Sequence, residues 1–206
     1  QMGNDFSRVN LSDQGDTVTA TALQGLFIRG GVGNDTVIYA DFADLFNVDF
    51  RPALIRADIS AGGGADTIQV DDAISSGGAL NFNRAGSIER LLQTDTGAAN
   101  ITITDAESLE EIDISASQND SVVDLSAVTQ AITITAGSGE DTLTGSGGAD
   151  TIDGGAGDDT ITGGAGDDQI TGGAGDDTID VDDGDDTVVF TAATDGGAAG
   201  TDSAGD

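Results

Sequence analysis

The chain has 206 residues, with 38 Asp or Glu against six cations, a net charge of −32, 32 Gly, one Pro, no Cys and no His. The six cations are all Arg, at 8, 29, 51, 56, 84 and 90, so residues 91–206 hold no positive side chain. This balance repels nucleic acid and anionic membrane surfaces, excludes a disulfide scaffold or thiolate metal site, and comes with no apolar run long enough to span a membrane.

High acidity of this kind also marks disordered tails, but those lack the fixed spacing at which Val, Ile and Leu recur here. In chain order, alternating segments predict strands at 17–20, 25–29, 36–39, 57–60, 67–70, 79–83, 100–104, 111–115, 121–125 and 131–135. They are spaced for about two strands per turn of a right-handed parallel β-solenoid, so the expected fold class is all-β with almost no helix. The 40–56 segment, ADFADLFNVDFRPALIR, is the longest departure and the one place where helix is admitted. It carries three of the seven Phe, the only Pro and two Arg. It reads either as a loop whose Phe side chains cap the core or as a contact surface for a neighbouring subunit.

From 136 onward the chain repeats every nine residues without a spacer: AGSGEDTLT, GSGGADTID, GGAGDDTIT, GGAGDDQIT, GGAGDDTID, VDDGDDTVV. A period this short builds no globular unit and must stack. Each copy ends polar–apolar–polar, as in Thr160-Ile161-Thr162, a minimal strand with one residue pointing inward. The inward set is Leu143, Ile152, Ile161, Ile170, Ile179 and Val188. The glycines before it allow full chain reversal and close backbone approach. Two copies make one turn of 18 residues, and successive turns pair as parallel strands about 4.8 Å apart. The domain reading is an irregular solenoid over 1–135, a regular roll over 136–190, and a tail or truncated continuation over 191–206. The chain starts with Gln, consistent with a processed chain or an excised segment.

The sixth position of each copy is acidic: Asp141, Asp150, Asp159, Asp168, Asp177 and Asp186. Copies alternate sides, so one edge stacks Asp141, Asp159 and Asp177 and the other Asp150, Asp168 and Asp186. Like charges about 5 Å apart repel by about 3 kcal/mol at an effective dielectric near 20, so such columns need a counter-charge. A hard dication ligated by stacked carboxylates and loop carbonyls supplies it. The flexible all-oxygen cage suits calcium better than magnesium, and without His or Cys it suits zinc, copper or iron poorly. Gly157, Gly166 and Gly175 are the expected carbonyl donors. Four sandwiched sites follow, at 141/159, 159/177, 150/168 and 168/186, so at least four ions are expected. Outlying Asp-Thr or Asp-Ser cores add Asp16 with Asp35, Asp120 with Asp141, and Asp66 with a weaker partner. The second acids, Asp158, Asp167, Asp176 and Asp185, are expected in solvent. The competing reading is a metal-free solenoid whose Asp side chains make only Asx turns.

The copies over 154–180 match the GGxGxDxUx nonapeptide letter for letter, and the chain resembles the repeats-in-toxin (RTX) family, a calcium repeat already known for this motif. The resemblance implies a parallel β-roll, calcium in its turns and type I secretion in unfolded form. It places the family's metal-binding Asp on Asp141, Asp150, Asp159, Asp168, Asp177 and Asp186, and through outlying copies on Asp35 and Asp66. The segments at 86–104 and 108–126 resemble the β-solenoids of calcium-dependent bacterial surface-layer proteins and large RTX adhesins.

Catalysis has little to draw on without His, Cys or Lys, so no enzymatic role is expected. The expected function is a secreted or cell-surface calcium-binding structural protein: a subunit of a surface layer or filament, or a segment of an adhesin. Its expected partners are calcium and further copies of itself. The alternative is a calcium-dependent folding and secretion module of a larger type I-secreted enzyme or toxin.

Overall fold

The computed structural model describes residues 7–10, 15–20, 26–29, 36–39, 59–60, 67–70, 80–81, 89–106 and 108–190. The 40–56 segment, Asp35 and Asp66 lie outside them. All regular elements among these residues are strands: β1 Ser7–Asn10, β2 Thr17–Ala20, β3 Leu26–Arg29, β4 Thr36–Tyr39, β5 Ile59–Ser60, β6 Thr67–Val70, β7 Leu80–Asn81, β8 Arg90–Gln93, β9 Asn100–Asp105, β10 Glu111–Asp113, β11 Val122–Asp124, β12 Thr133–Thr135, β13 Thr142–Thr144, β14 Thr151–Ala156, β15 Thr160–Thr162, β16 Gln169–Ala174, β17 Thr178–Asp180 and β18 Thr187–Val189.

Strands alternate between two sides. The even strands form one nine-stranded sheet from β2 to β18, and the odd strands form a six-stranded sheet from β7 to β17 and a three-stranded one of β1, β3 and β5. Every pairing is parallel, each strand lying on the one two places before it. The molecule is therefore a β-solenoid with two strands per turn, as the spacing predicts. Turn length separates its two parts. In the roll, Thr142 faces Thr160 and Thr151 faces Gln169, each eighteen residues on. Earlier turns are wider: Arg90 faces Glu111, Glu111 faces Thr133, and Thr36 faces Thr67 across the insertion.

The core is two stacked aliphatic columns. On the even sheet Leu91, Ile112, Ile134, Ile152 and Ile170 lie over one another; on the odd sheet Ile101, Val123, Leu143, Ile161 and Ile179 do. All ten are buried, each stabilising by roughly 1.5–3 kcal/mol through area removed from water. Val188, on the last described strand, is only half-buried. In the wider turns Ile114, Leu125, Val128 and Ile132 add further buried volume.

Strand β8 is absent from the sequence expectation. Its exposed side carries Arg90, directly opposite Glu111, with which it ion-pairs at 3.1 Å while also bonding Asp113. Between Arg90 and Gln93 the pattern is RLLQ, and Gln93 points inward to donate to the carbonyls of Asp95 and Gly97 at 3.1 and 2.6 Å. A buried polar side chain with two satisfied donors hides the strand's periodicity.

Candidate metal centre

Each roll strand is preceded by a loop of glycines that ends on the sixth-position Asp. The geometry along the stack is regular. The N–H of Asp141 donates to Oδ1 of Asp159 at 2.8 Å, and that of Asp159 to Oδ1 of Asp177 at 3.0 Å. On the other edge, the N–H of Asp150 donates to Oδ1 of Asp168 at 2.7 Å and that of Asp168 to Oδ1 of Asp186 at 2.8 Å. The Asp residues thus form two columns, each carboxylate reaching back one turn. Asp141, Asp150, Asp159, Asp168 and Asp177 are buried and Asp186 is half-exposed.

One oxygen of each carboxylate is committed to the backbone in this way. In three of them the other is not: Oδ2 of Asp141, Asp159 and Asp168 is buried with no hydrogen-bond partner. A buried carboxylate oxygen left bare costs on the order of 1–3 kcal/mol or more. Burial pushes the Asp159 carboxyl up to about 7, with the charges of Asp141, Asp177 and Asp158 adding to it against the hydrogen bond from Asp141 N–H. Burial likewise raises Asp168 to about 6, with Asp150, Asp186 and Asp167 adding, and it raises Asp141. These are anionic positions short of positive charge.

The glycines explain where these oxygens point. A Cβ on Gly154 would stand 2.5 Å from Oδ2 of Asp159, and one on Gly163 would stand 2.6 Å from Oδ2 of Asp168. The carboxylate therefore fills the space a side chain would take at the start of its own loop. Gly157 has φ +130° and Gly175 φ +146°, where L side chains are strained. The carbonyl oxygens of Gly139, Gly157 and Gly166 lie 1.9 Å from where a Cβ of Gly157, Gly175 and Gly184 would stand. None of these three carbonyls accepts a backbone hydrogen bond among the described residues. Among the described residues no three acidic side chains converge on one point, so a cation held here draws on main-chain oxygens beside the bare carboxylate oxygens. All-oxygen donors of mixed carboxylate and carbonyl type fit calcium.

The remaining predicted residues fall in different places. Asp16 stands half-buried just before β2, and its carbonyl accepts the N–H of Thr36 at 2.8 Å. Asp120 does not stack with Asp141. Val122 faces Thr142, which puts Ser121 in the Asp141 column, and Ser121 N–H donates to Asp141 Oδ1 at 2.6 Å. Asp120 is exposed, one residue earlier, and accepts the N–H of Glu140 at 3.0 Å. In the 121–125 strand segment Val123 is buried and Val122 exposed. Asp158, Asp167, Asp176 and Asp185 are all exposed, forming an outer ladder in which Asp176 N–H donates to Asp158 Oδ1 and Asp185 N–H to Asp167 Oδ1.

Below the roll the columns change chemistry. Ser117 and Ser121 are buried and bonded to one another at 3.1 Å, and Ser117 Oγ donates to Gly97 O at 2.9 Å. On the even edge Ile132 takes the column position, its N–H donating to Asp150 Oδ1 at 2.7 Å. Hydroxyls and aliphatics there need no counter-charge. The sequence assigns no role to Ser117, Ser121 or Ser146, because nothing in the repeat frame marks a hydroxyl's hydrogen bonds.

The RTX calcium-binding nonapeptide repeat, as a block of four copies, matches residues 27–46, 133–161 and 153–188. No curated protein and no solved structure matches the chain. Residues 133–188 coincide with the turns of eighteen residues and with both columns of buried Asp. The array over 133–188, and the parallel β-solenoid it builds, carry the RTX calcium-binding nonapeptide repeat and support an RTX β-roll.

Proposed function

We propose that this chain is an extracellular structural protein whose roll folds when calcium closes the two acid columns. It serves as a subunit of a surface layer or filament, or as a segment of an adhesin. The bare, buried Oδ2 atoms of Asp141, Asp159 and Asp168 carry the calcium part of this reading. Asp177 and Asp186 extend the columns, with the stacked carbonyls of Gly157, Gly166 and Gly175 as further donors. Free calcium at millimolar levels, as found outside cells, then contributes to folding by mass action.

The structural role draws on two features. Parallel strand pairing continues below the roll, where Ser121 and Ile132 replace Asp at the column positions, so the solenoid extends beyond the acid array. Solenoid ends also present unpaired strand edges, which favour stacking of further copies. No catalytic role is proposed, since the chain lacks His, Cys and Lys and its buried acids belong to a regular array. Electron microscopy of the purified chain tests the assembly: sheets or filaments on calcium addition support it, and dispersed single rods at every calcium level argue against it.

A further inference from the structure

The structure assigns Asp150 to a closed position in the acid array: Ser146 occupies its carboxylate with hydrogen bonds, so that this loop holds no calcium while its sister loops do. The inference rests on the calcium reading above and refines it. By sequence the loop at 145–150, GSGGAD, is an ordinary copy. Its carboxylate also sits as in the others, with Oδ2 standing 2.7 Å from where a Gly145 Cβ would be, against 2.5 and 2.6 Å at Gly154 and Gly163. Only the partners differ.

In the later loops the second position is left-handed: Gly155, Gly164 and Gly173 have φ of 96, 106 and 108°, and Asp182 follows at 60°. Ser146, at the same position, is not left-handed. Its N–H donates to Asp150 Oδ2 at 2.5 Å, and its Oγ lies 2.9 Å from Asp150 Oδ1 and 2.7 Å from Gln130 O, its one proton serving either. Gly148 N–H donates to the same Oγ at 3.0 Å, fixing the hydroxyl in place. With Ile132 N–H on Oδ1, both oxygens of Asp150 are satisfied, in contrast to the bare Oδ2 of Asp141, Asp159 and Asp168. Gly137, the corresponding residue of the preceding loop, is also outside the left-handed set and its backbone N–H also acts on the Asp141 carboxylate, yet Oδ2 of Asp141 has no partner within hydrogen-bond geometry. The Ser146 hydroxyl, added to the short inward N–H bond, therefore distinguishes the closed loop. The hydroxyl packs against Asp150 Oδ1 while the N–H puts the positive end of a dipole on Oδ2, the oxygen left bare in the other three loops.

The consequence is an offset array: calcium starts at Asp141 on one edge and only at Asp168 on the other. Calcium counts by native mass spectrometry, with folding in saturating calcium checked by circular dichroism, test it. Asp150→Asn is expected to bind as many ions as the parent chain, Asp168→Asn fewer, and Ser146→Gly one more. An ion lost in a folded Asp150→Asn overturns the assignment. If Asp150→Asn does not fold, Ser146→Gly decides, and an unchanged count there overturns it. A parent chain that binds no calcium overturns the calcium reading itself, and this inference with it.

Discussion

The backbone N–H of Asp141 points at Oδ1 of Asp159, one full turn later, at 2.8 Å. That contact ties two turns together and leaves the second oxygen of Asp159 buried and bare. Repeated along the stack, it makes each column both a source of register and a store of uncompensated charge.

Replacing Asp159 should therefore cost twice, through a lost hydrogen bond and a lost ligand oxygen. Asp159→Ala is expected to raise the calcium midpoint of folding at least about tenfold, roughly 1.4 kcal/mol. Asp158→Ala removes only an exposed acceptor of Asp176 N–H and should shift the midpoint by less than about twofold. Calcium titrations followed by circular dichroism separate them; equal shifts would refute the inner and outer roles.

The loops should tolerate alanine at some glycines and not at others. Gly157→Ala forces a side chain to 1.9 Å from Gly139 O at φ +130° and should destabilise by more than about 2 kcal/mol. At Gly147 the nearest atom would be 3.5 Å away, so Gly147→Ala should stay within about 0.5 kcal/mol. Urea unfolding in saturating calcium provides the comparison, and a fully tolerated Gly157→Ala would show that the turns stack less closely than described.

Acid should partly replace calcium. Asp159 is raised from 3.8 to about 7 and Asp168 to about 6, burial being the main cause. A carboxyl whose folded value is raised favours the folded state fully below its unfolded value, and that contribution is lost as pH rises through the folded value. For Asp159 the window runs from 3.8 to about 7. The chain freed of calcium by dialysis should thus gain β-structure as pH falls from 8 toward 4, while its calcium affinity weakens as protons compete. A calcium-free chain most folded at pH 8 would contradict the electrostatic account.

The regular part of this molecule was legible because its signal is repetitive. A nine-residue period with one aliphatic residue implies two strands per turn, the stacking of Ile152 on Ile170, and the Asp159–Asp177 column. Single substitutions within the pattern were not legible. Asp120-Ser121-Val122 looks like the repeat core, but a turn of twenty residues puts Ser121 under Asp141 and turns Asp120 outward. Arg90 and Gln93 disguise a strand because one is held by a cross-strand ion pair and the other by carbonyls inside the loop. Ser146 fits the motif by size, and its hydrogen bonds to Asp150 become visible only in three dimensions.

The most direct test is far-ultraviolet circular dichroism of the full chain at pH 7.5, in excess EGTA and then in millimolar calcium. The account predicts a largely unfolded roll in chelator that gains its β-signal on calcium addition, because the bare carboxylate oxygens of Asp141, Asp159 and Asp168 need a counter-charge to be buried. An equally folded β-spectrum in excess chelator would contradict it.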